Sequence, residues 1–176
     1  CAGLTSVVLP STLTSIEQSA FSFCWRLTSV ILPNKLTTIE SGTFYACFNL
    51  TSVVLPSTLT SIGRVAFDGC HKLTSVTFSE GLTSIGNAAF SGCILLTSIA
   101  LPSTLLSIGE YAFSGCGPLN TVWIREDAVL MPELGHRALP RNVRILKSSA
   151  EERSAKKRKF DNRLQLSALK FGELRF

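Results

Sequence analysis

Residues 47–70 read Cys-Phe-Asn-Leu-Thr-Ser-Val-Val-Leu-Pro-Ser-Thr-Leu-Thr-Ser-Ile-Gly-Arg-Val-Ala-Phe-Asp-Gly-Cys, and nearly the same line recurs on both sides of it. Leu4, Leu27, Leu50, Leu73, Leu96 and Leu119 fall every 23 residues, as do Phe21, Phe44, Phe67, Phe90 and Phe113. All six cysteines (Cys1, Cys24, Cys47, Cys70, Cys93, Cys116) keep the same step. Five full copies fill 4–118 without insertion or deletion, and a fixed period of this length is the signature of stacked repeats.

The physics of one unit predicts its shape. In L-x-x-V-x-L, as at Leu27, Val30 and Leu32, three apolar side chains point one way over a short β-branched stretch, which suits a strand. Pro10, Pro33, Pro56 and Pro102 end it, because proline cannot continue a ladder. Leu13 and Ile16 mark a second extended segment. Gly63, Gly86 and Gly109 are expected to allow a sharp turn, followed by a short helical turn such as Ala66-Phe67. One coil cannot bury its own apolar face. Stacking coils at ~4.8 Å gives each strand a parallel neighbour and each Phe a Phe above and below. The expected fold is an α/β-type repeat solenoid: a right-handed coil of 23-residue units with stacked parallel strands, about 25–30 Å long, plus a short C-terminal helical tail.

The organisation read from this is a solenoid over 1–118, a degenerate capping repeat over 119–147 and a basic, apolar tail over 148–176. Leu119-Asn-Thr-Val-Trp-Ile124 still reads as a first strand, with Arg125 in place of the proline. Leu139-Pro140-Arg-Asn-Val143-Arg-Ile-Leu146 repeats the spacing of Leu101 to Ile108, so the sixth coil is expected to hold both strands around a 15-residue insertion. Terminal repeats are atypical because their outer face meets water. At the other end Cys1 falls in the last column of a preceding coil, which leaves a strand edge for missing repeats or a neighbouring chain to cover.

Composition narrows the class. With 45% hydrophobic and 16% charged residues the chain is not wholly disordered. No apolar run reaches the ~18 residues of a membrane-spanning helix. The opening Cys-Ala-Gly carries no basic or apolar leader pattern, and no signal peptide is read there. The net charge of +5 is uneven: residues 1–118 hold 4 Lys/Arg against 5 acids, while 148–176 hold 8 against 4. The basic balance therefore belongs to the C-terminal part.

With C-x-x-L-T-S-V-x-L-P-x-x-L-T-S-I-G-x-x-A-F-x-x-C, as from Cys47 to Cys70, the unit resembles the BspA-like, or Treponema-type, leucine-rich repeat family over about two thirds of the chain. The resemblance implies a curved solenoid, often on cell surfaces, that binds proteins and does not catalyse reactions. Nothing in that pattern covers 148–176.

The residues themselves point the same way on chemistry. Six cysteines allow 15 disulfide connectivities, but stacked Cβ atoms ~4.8 Å apart exceed the ~3.8 Å a disulfide needs. A buried ladder of free thiols is expected instead. With no C-x-x-C or Cys/His cluster, no metal site is read, and no cofactor is expected. Free thiols favour a reducing compartment, whereas the resemblance allows the cell surface, so localisation stays open. His71 and His136 stand near no nucleophile motif, the acids do not pair, and no phosphate-cradling loop appears, so an enzyme is not expected.

Two surface features stand out. The outward rows Thr5/Thr28/Thr51/Thr74/Thr97 and Ser6/Ser29/Ser52/Ser75/Ser98 are uniform and small. They also lack the Thr-x-Thr order of an ice-binding face. By contrast, the two residues after each Cys change from coil to coil: Trp25-Arg26, Phe48-Asn49, His71-Lys72, Ile94-Leu95 and Gly117-Pro118. Exposed aromatics beside cations are typical hot-spot chemistry, so Trp25, Arg26, Phe48, His71, Lys72 and Ile94, together with Trp123 from the strand face, are the candidate protein-binding residues. The opposing reading is that these rings lie over neighbouring coils as packing. In the tail, Ser149-Ala-Glu-Glu152 has capping-box spacing and predicts a helix over about 150–166 carrying Lys156, Lys157, Arg158 and Lys159. This run is a candidate anion-binding patch for nucleic acid or an anionic membrane, and Leu164 to Phe176 add an apolar end that needs a docking place. The function expected is a non-catalytic protein–protein interaction module within a longer chain or assembly. A tether acting through the tail and a structural subunit of a larger complex are the alternatives.

Overall fold

The computed structural model describes residues 3–125, 137–141 and 143–148. Each coil contributes a short strand after its Leu-Thr pair: β1 Ser6–Val8, β2 Ser29–Ile31, β4 Ser52–Val54, β6 Ser75–Thr77, β8 Ser98–Ala100 and β10 Thr121–Arg125. From the second coil on, a two-residue strand follows after the Leu-Pro corner: β3 Thr38–Ile39, β5 Ser61–Ile62, β7 Ser84–Ile85 and β9 Ser107–Ile108. The last strand is β11, Arg144–Ser148. All pairings are parallel and step by one repeat, as in Ser6↔Ser29, Ser29↔Ser52 and Ser61↔Ser84. The molecule is thus a parallel-strand β-solenoid of about six turns. Between β6 and β8 the ladder lapses although the strands stay neighbours; in that coil Phe78-Ser79 stands where the first three coils and the fifth have Leu-Pro.

Periodicity dictates the core, because each buried side chain rests on its own copy one coil away. Phe21, Phe44, Phe67, Phe90 and Phe113 form a continuous pile with centroids 5.4, 5.2, 5.1 and 5.3 Å apart. Their planes lie within 11° of parallel. Burying each ring contributes about 1.5–3 kcal/mol. Threonine hydroxyls add a second set of links: Thr28, Thr51 and Thr74 Oγ1 donate to the carbonyls of Thr5, Thr28 and Thr51 at 2.9, 3.1 and 3.3 Å. Thr60 and Thr83 do the same on the second sheet, to Thr37 and Thr60 at 3.0 Å.

Three sequence expectations need correction. First, the described residues contain no helix; the Ala-Phe segment is a chain of turns, so the fold is all-β over this span. The helix expected over 150–166 lies outside the described residues. Second, Gly63, Gly86 and Gly109 are not the sharp-turn residues. They are glycine because the preceding coil passes too close: a Cβ on Gly63 would stand 2.7 Å from the Ser41 amide nitrogen, and one on Gly86 2.7 Å from that of Arg64. The sharp turns fall at two other columns, Ser19/Gly42/Val65/Ala88/Tyr111 and Phe23/Ala46/Gly69/Gly92/Gly115, all with φ between 49° and 75°. Val65, at φ 49°, is the costliest of these, because a β-branched side chain is poorly tolerated in the left-handed region.

Third, Leu139–Leu146 does not supply a second strand to the sixth coil. Arg144–Ser148 pairs with β10 in the register Thr121↔Arg144 and Val122↔Ile145, one further step along the first sheet. Ala138, not a strand residue, takes the position before the Phe column: its carbonyl accepts the Phe113 amide at 2.9 Å, as that of Ala112 accepts Phe90 at 2.7 Å. The Leu-Pro pair at 139–140 matches the corner in residue type only. Here Leu139 packs against the core where the regular coils place Phe.

Candidate functional site

The coil-to-coil variable pair has a defined backbone. From the second coil on, the Leu amide donates to the Cys carbonyl three residues earlier: Leu27 to Cys24 at 2.9 Å, and Leu50 to Cys47, Leu73 to Cys70, Leu96 to Cys93 and Leu119 to Cys116 at 3.0 Å. That bond closes a β-turn whose two central residues are the variable pair. Cys and Leu at its corners are buried, so the turn is anchored at both ends while its centre faces outward. A turn of this kind accepts most residue types, which is why the pair can vary without disturbing the stack.

Successive turns are tied together. Asn49 Nδ2 donates to the Trp25 carbonyl at 2.5 Å, and the Lys72 amide donates to the Phe48 carbonyl at 3.2 Å. The structure brings Trp25, Phe48, His71 and Ile94 into one row of consecutive turns, with Trp25 48%, Phe48 40% and Ile94 49% exposed. The Phe48 and His71 rings stack at 4.9 Å and 12°. Arg26 and Lys72 are exposed in the adjoining column.

Trp123 is not brought to this row. It stands half-buried in β10, in the outward column of Val8, Ile31 and Val54, with Ala100 and Leu146 as its strand partners. The basic residues Lys156, Lys157, Arg158 and Lys159, and also His136, lie outside the described residues. Conversely, Phe23 was missed: it is 60% exposed and meets Tyr45 edge-on at 5.2 Å and 88°, two residues from Trp25. The available signal was an aromatic in a column otherwise filled by Ala and Gly.

Cys24, Cys47, Cys70, Cys93 and Cys116 are free and buried. Each thiol from Cys47 on donates to the Phe carbonyl of the preceding coil: Cys47 to Phe21 at 3.2 Å, Cys70 to Phe44 at 3.4 Å, Cys93 to Phe67 at 3.5 Å and Cys116 to Phe90 at 3.2 Å. Burial pushes the Cys47 thiol up to about 12 and holds that of Cys70 well above the ordinary thiol value. The contact with Cys116, with burial added, does the same to Cys93. Protonated and enclosed, the thiols of Cys47, Cys70 and Cys93 are poor nucleophiles, whereas the bond to Cys93 pulls that of Cys116 below the ordinary thiol value. Among the described residues no group of three or more His, Cys, Asp and Glu is placed to hold a metal ion. No helix among them is long and apolar enough to cross a membrane.

The comparisons with known proteins agree with this geometry. The family described as "BspA type Leucine rich repeat region" matches in six copies, over residues 1–120 and 37–167. A leucine-rich repeat protein from Bacteroides ovatus is similar at 27% identity with a TM-score of 0.69, over 84% of this chain and 43% of that one. The T. pallidum leucine-rich repeat protein is similar at 32% identity with a TM-score of 0.52, over 83% of this chain and 53% of that one. The chain thus spans about half the length of these two solved relatives. No curated protein matches it. Repeat, solenoid and family match coincide over the same residues, and the chain belongs to the BspA-type leucine-rich repeat family.

Proposed function

We propose that this chain is a non-catalytic protein-binding module whose contact surface is the row of turns after the Cys column, centred on Trp25, Phe48 and His71. One observation carries the reading: in this row exposed rings and cations stand side by side over consecutive coils and change from coil to coil. Solenoids commonly bind through such extended surfaces built from successive repeats. In this reading 119–147 closes the stack and the module works within a longer chain or assembly.

The test is cross-linking mass spectrometry of the full chain in native extract, with and without Trp25→Ala and Phe48→Ala. Cross-links beside Lys72 are expected to disappear while the melting temperature hardly changes. Cross-links that persist alongside a clear loss of stability would show that the rings are packing.

The run Lys156-Lys157-Arg158-Lys159 favours a second reading, in which the tail tethers the solenoid to nucleic acid or an anionic membrane. Changing these four residues to Ala then abolishes salt-dependent binding to duplex DNA or to phosphatidylserine vesicles. Binding that survives the change removes this reading.

A further inference from the structure

We infer that the row of turns takes an acidic peptide segment bearing an aromatic or aliphatic side chain; this deepens, and rests on, the row being the binding surface. The first ground is the presentation of the rings. Phe48 and His71 cover one face of each other in a near-parallel stack 4.9 Å apart, so along that contact they offer the outside their rims. An aromatic rim is the positive part of the ring quadrupole, suited to carboxylate oxygens and to the face of an incoming ring. Sugar rings and nucleic-acid bases need open aromatic faces, which this stack does not present between Phe48 and His71.

The second ground is charge. The ten positions 25/26, 48/49, 71/72, 94/95 and 117/118 hold Arg26 and Lys72 and not one acid, although residues 1–118 carry 4 Lys/Arg against 5 acids. Arg26 and Lys72 make no ion pair or side-chain hydrogen bond among the described residues. Asp68, three residues before His71, accepts from the Ser91 side chain and the Gly69 amide and also faces His71, so the free positive charge of the row rests on Arg26 and Lys72. Two cations two coils apart stand ~10 Å from each other, within the span of one short extended segment. Trp25, Phe48 and Ile94 supply the apolar contact between and beside them.

The probes are labelled eight-residue peptides alternating Glu with Phe or Leu, the same peptides with Gln or Lys for Glu, and a ten-nucleotide oligothymidine. Binding to the full chain is read by fluorescence anisotropy at low and high salt. It is read again in a chain with Lys156, Lys157, Arg158 and Lys159 changed to Ala, so that the tail cannot supply the attraction. The Glu peptide is expected to bind about tenfold more tightly than the Gln peptide, in both chains, and to weaken with salt. Arg26→Glu with Lys72→Glu should reverse the preference toward the Lys peptide, with the circular dichroism spectrum unchanged. Equal binding of the Glu and Gln peptides overturns the charge inference while leaving the row a binding surface. Tighter binding of oligothymidine, or no peptide binding at all, overturns it too. Glu-peptide binding untouched by Trp25→Ala/Phe48→Ala instead overturns the reading of the row itself.

Discussion

Phe44 and Phe48 lie four residues apart in one coil and live under different rules. Phe44 is fully buried, between Phe21 and Phe67, whereas Phe48 is 40% exposed at the centre of a β-turn. The residue at position 44 must match its copies at 21 and 67, because each ring is the packing surface of the next. The residue at 48 has to satisfy only a turn, so His, Trp, Ile and Gly serve equally in the other coils. Repetition in this fold therefore marks what the stack requires, and variation marks where the stack makes no demand. Recognition of a partner can be written only in the second kind of position.

The comparison can be sharpened within the interior. Phe90 stacks on Phe67 and Phe113 and also meets Phe78 edge-on at 5.6 Å and 79°. Phe90→Ala should cost about 3–5 kcal/mol in chemical denaturation. Phe21→Ala, at a half-buried ring with one stacking partner, should cost clearly less. Equal losses would mean that stacking does not set the value of a core position.

Gly86→Ala comes next. Its Cβ would meet Arg64 N and Gly63 C at 2.7 Å, backbone atoms that cannot swing away. A loss of about 1–3 kcal/mol is expected. The same change at Gly92 meets only ordinary contacts, 3.6 Å and beyond, but its φ of 67° adds left-handed strain. A Gly86→Ala variant of wild-type stability would refute the close-approach account.

The thiols give a pH signature. A thiol raised in the folded state favours folding while it stays protonated, so stability is full below the unfolded value near 9 and falls as pH climbs toward the folded one. For Cys47 that window runs from 9.0 to about 12, with a slope of about 1.4 kcal/mol per pH unit. Denaturation midpoints measured from pH 8 to 10.5 should fall, and Cys47→Ala should flatten the decline. Val65→Gly is the smallest effect and of opposite sign: relief of the left-handed backbone should raise stability by up to about 1 kcal/mol. Destabilisation would show that the Val65 side chain contributes more by contact than its backbone costs.

Much of this was legible from residue spacing. The Leu, Phe and Cys columns announce the parallel stack directly, and their burial follows from it. The placement of the residues after Cys in one exposed row was legible as well, because variation inside strict repetition is itself a signal. The left-handed columns were not: Ser19, Gly42, Val65, Ala88 and Tyr111 share a conformation but no residue type. Gly63 was noticed and misread, since a missing Cβ serves a tight approach as readily as a turn, and only the neighbouring coil decides between them. Arg144–Ser148 was placed on the wrong sheet because the Leu-Pro pair at 139–140 matches the corner in residue type only, and pairing with β10 depends on a register that spacing does not contain. Trp123 stands on the strand face where its spacing put it, beside the column of Val8, Ile31 and Val54 and apart from the row.

The most direct test sets Phe44→Ala beside Phe48→Ala in urea denaturation. Phe44→Ala should lose about 3–5 kcal/mol, and Phe48→Ala no more than about 1.5 kcal/mol, the worth of one ring pair at the surface. Comparable losses at the two positions would contradict the account, because the edge row would then be part of the packing that holds the coils together.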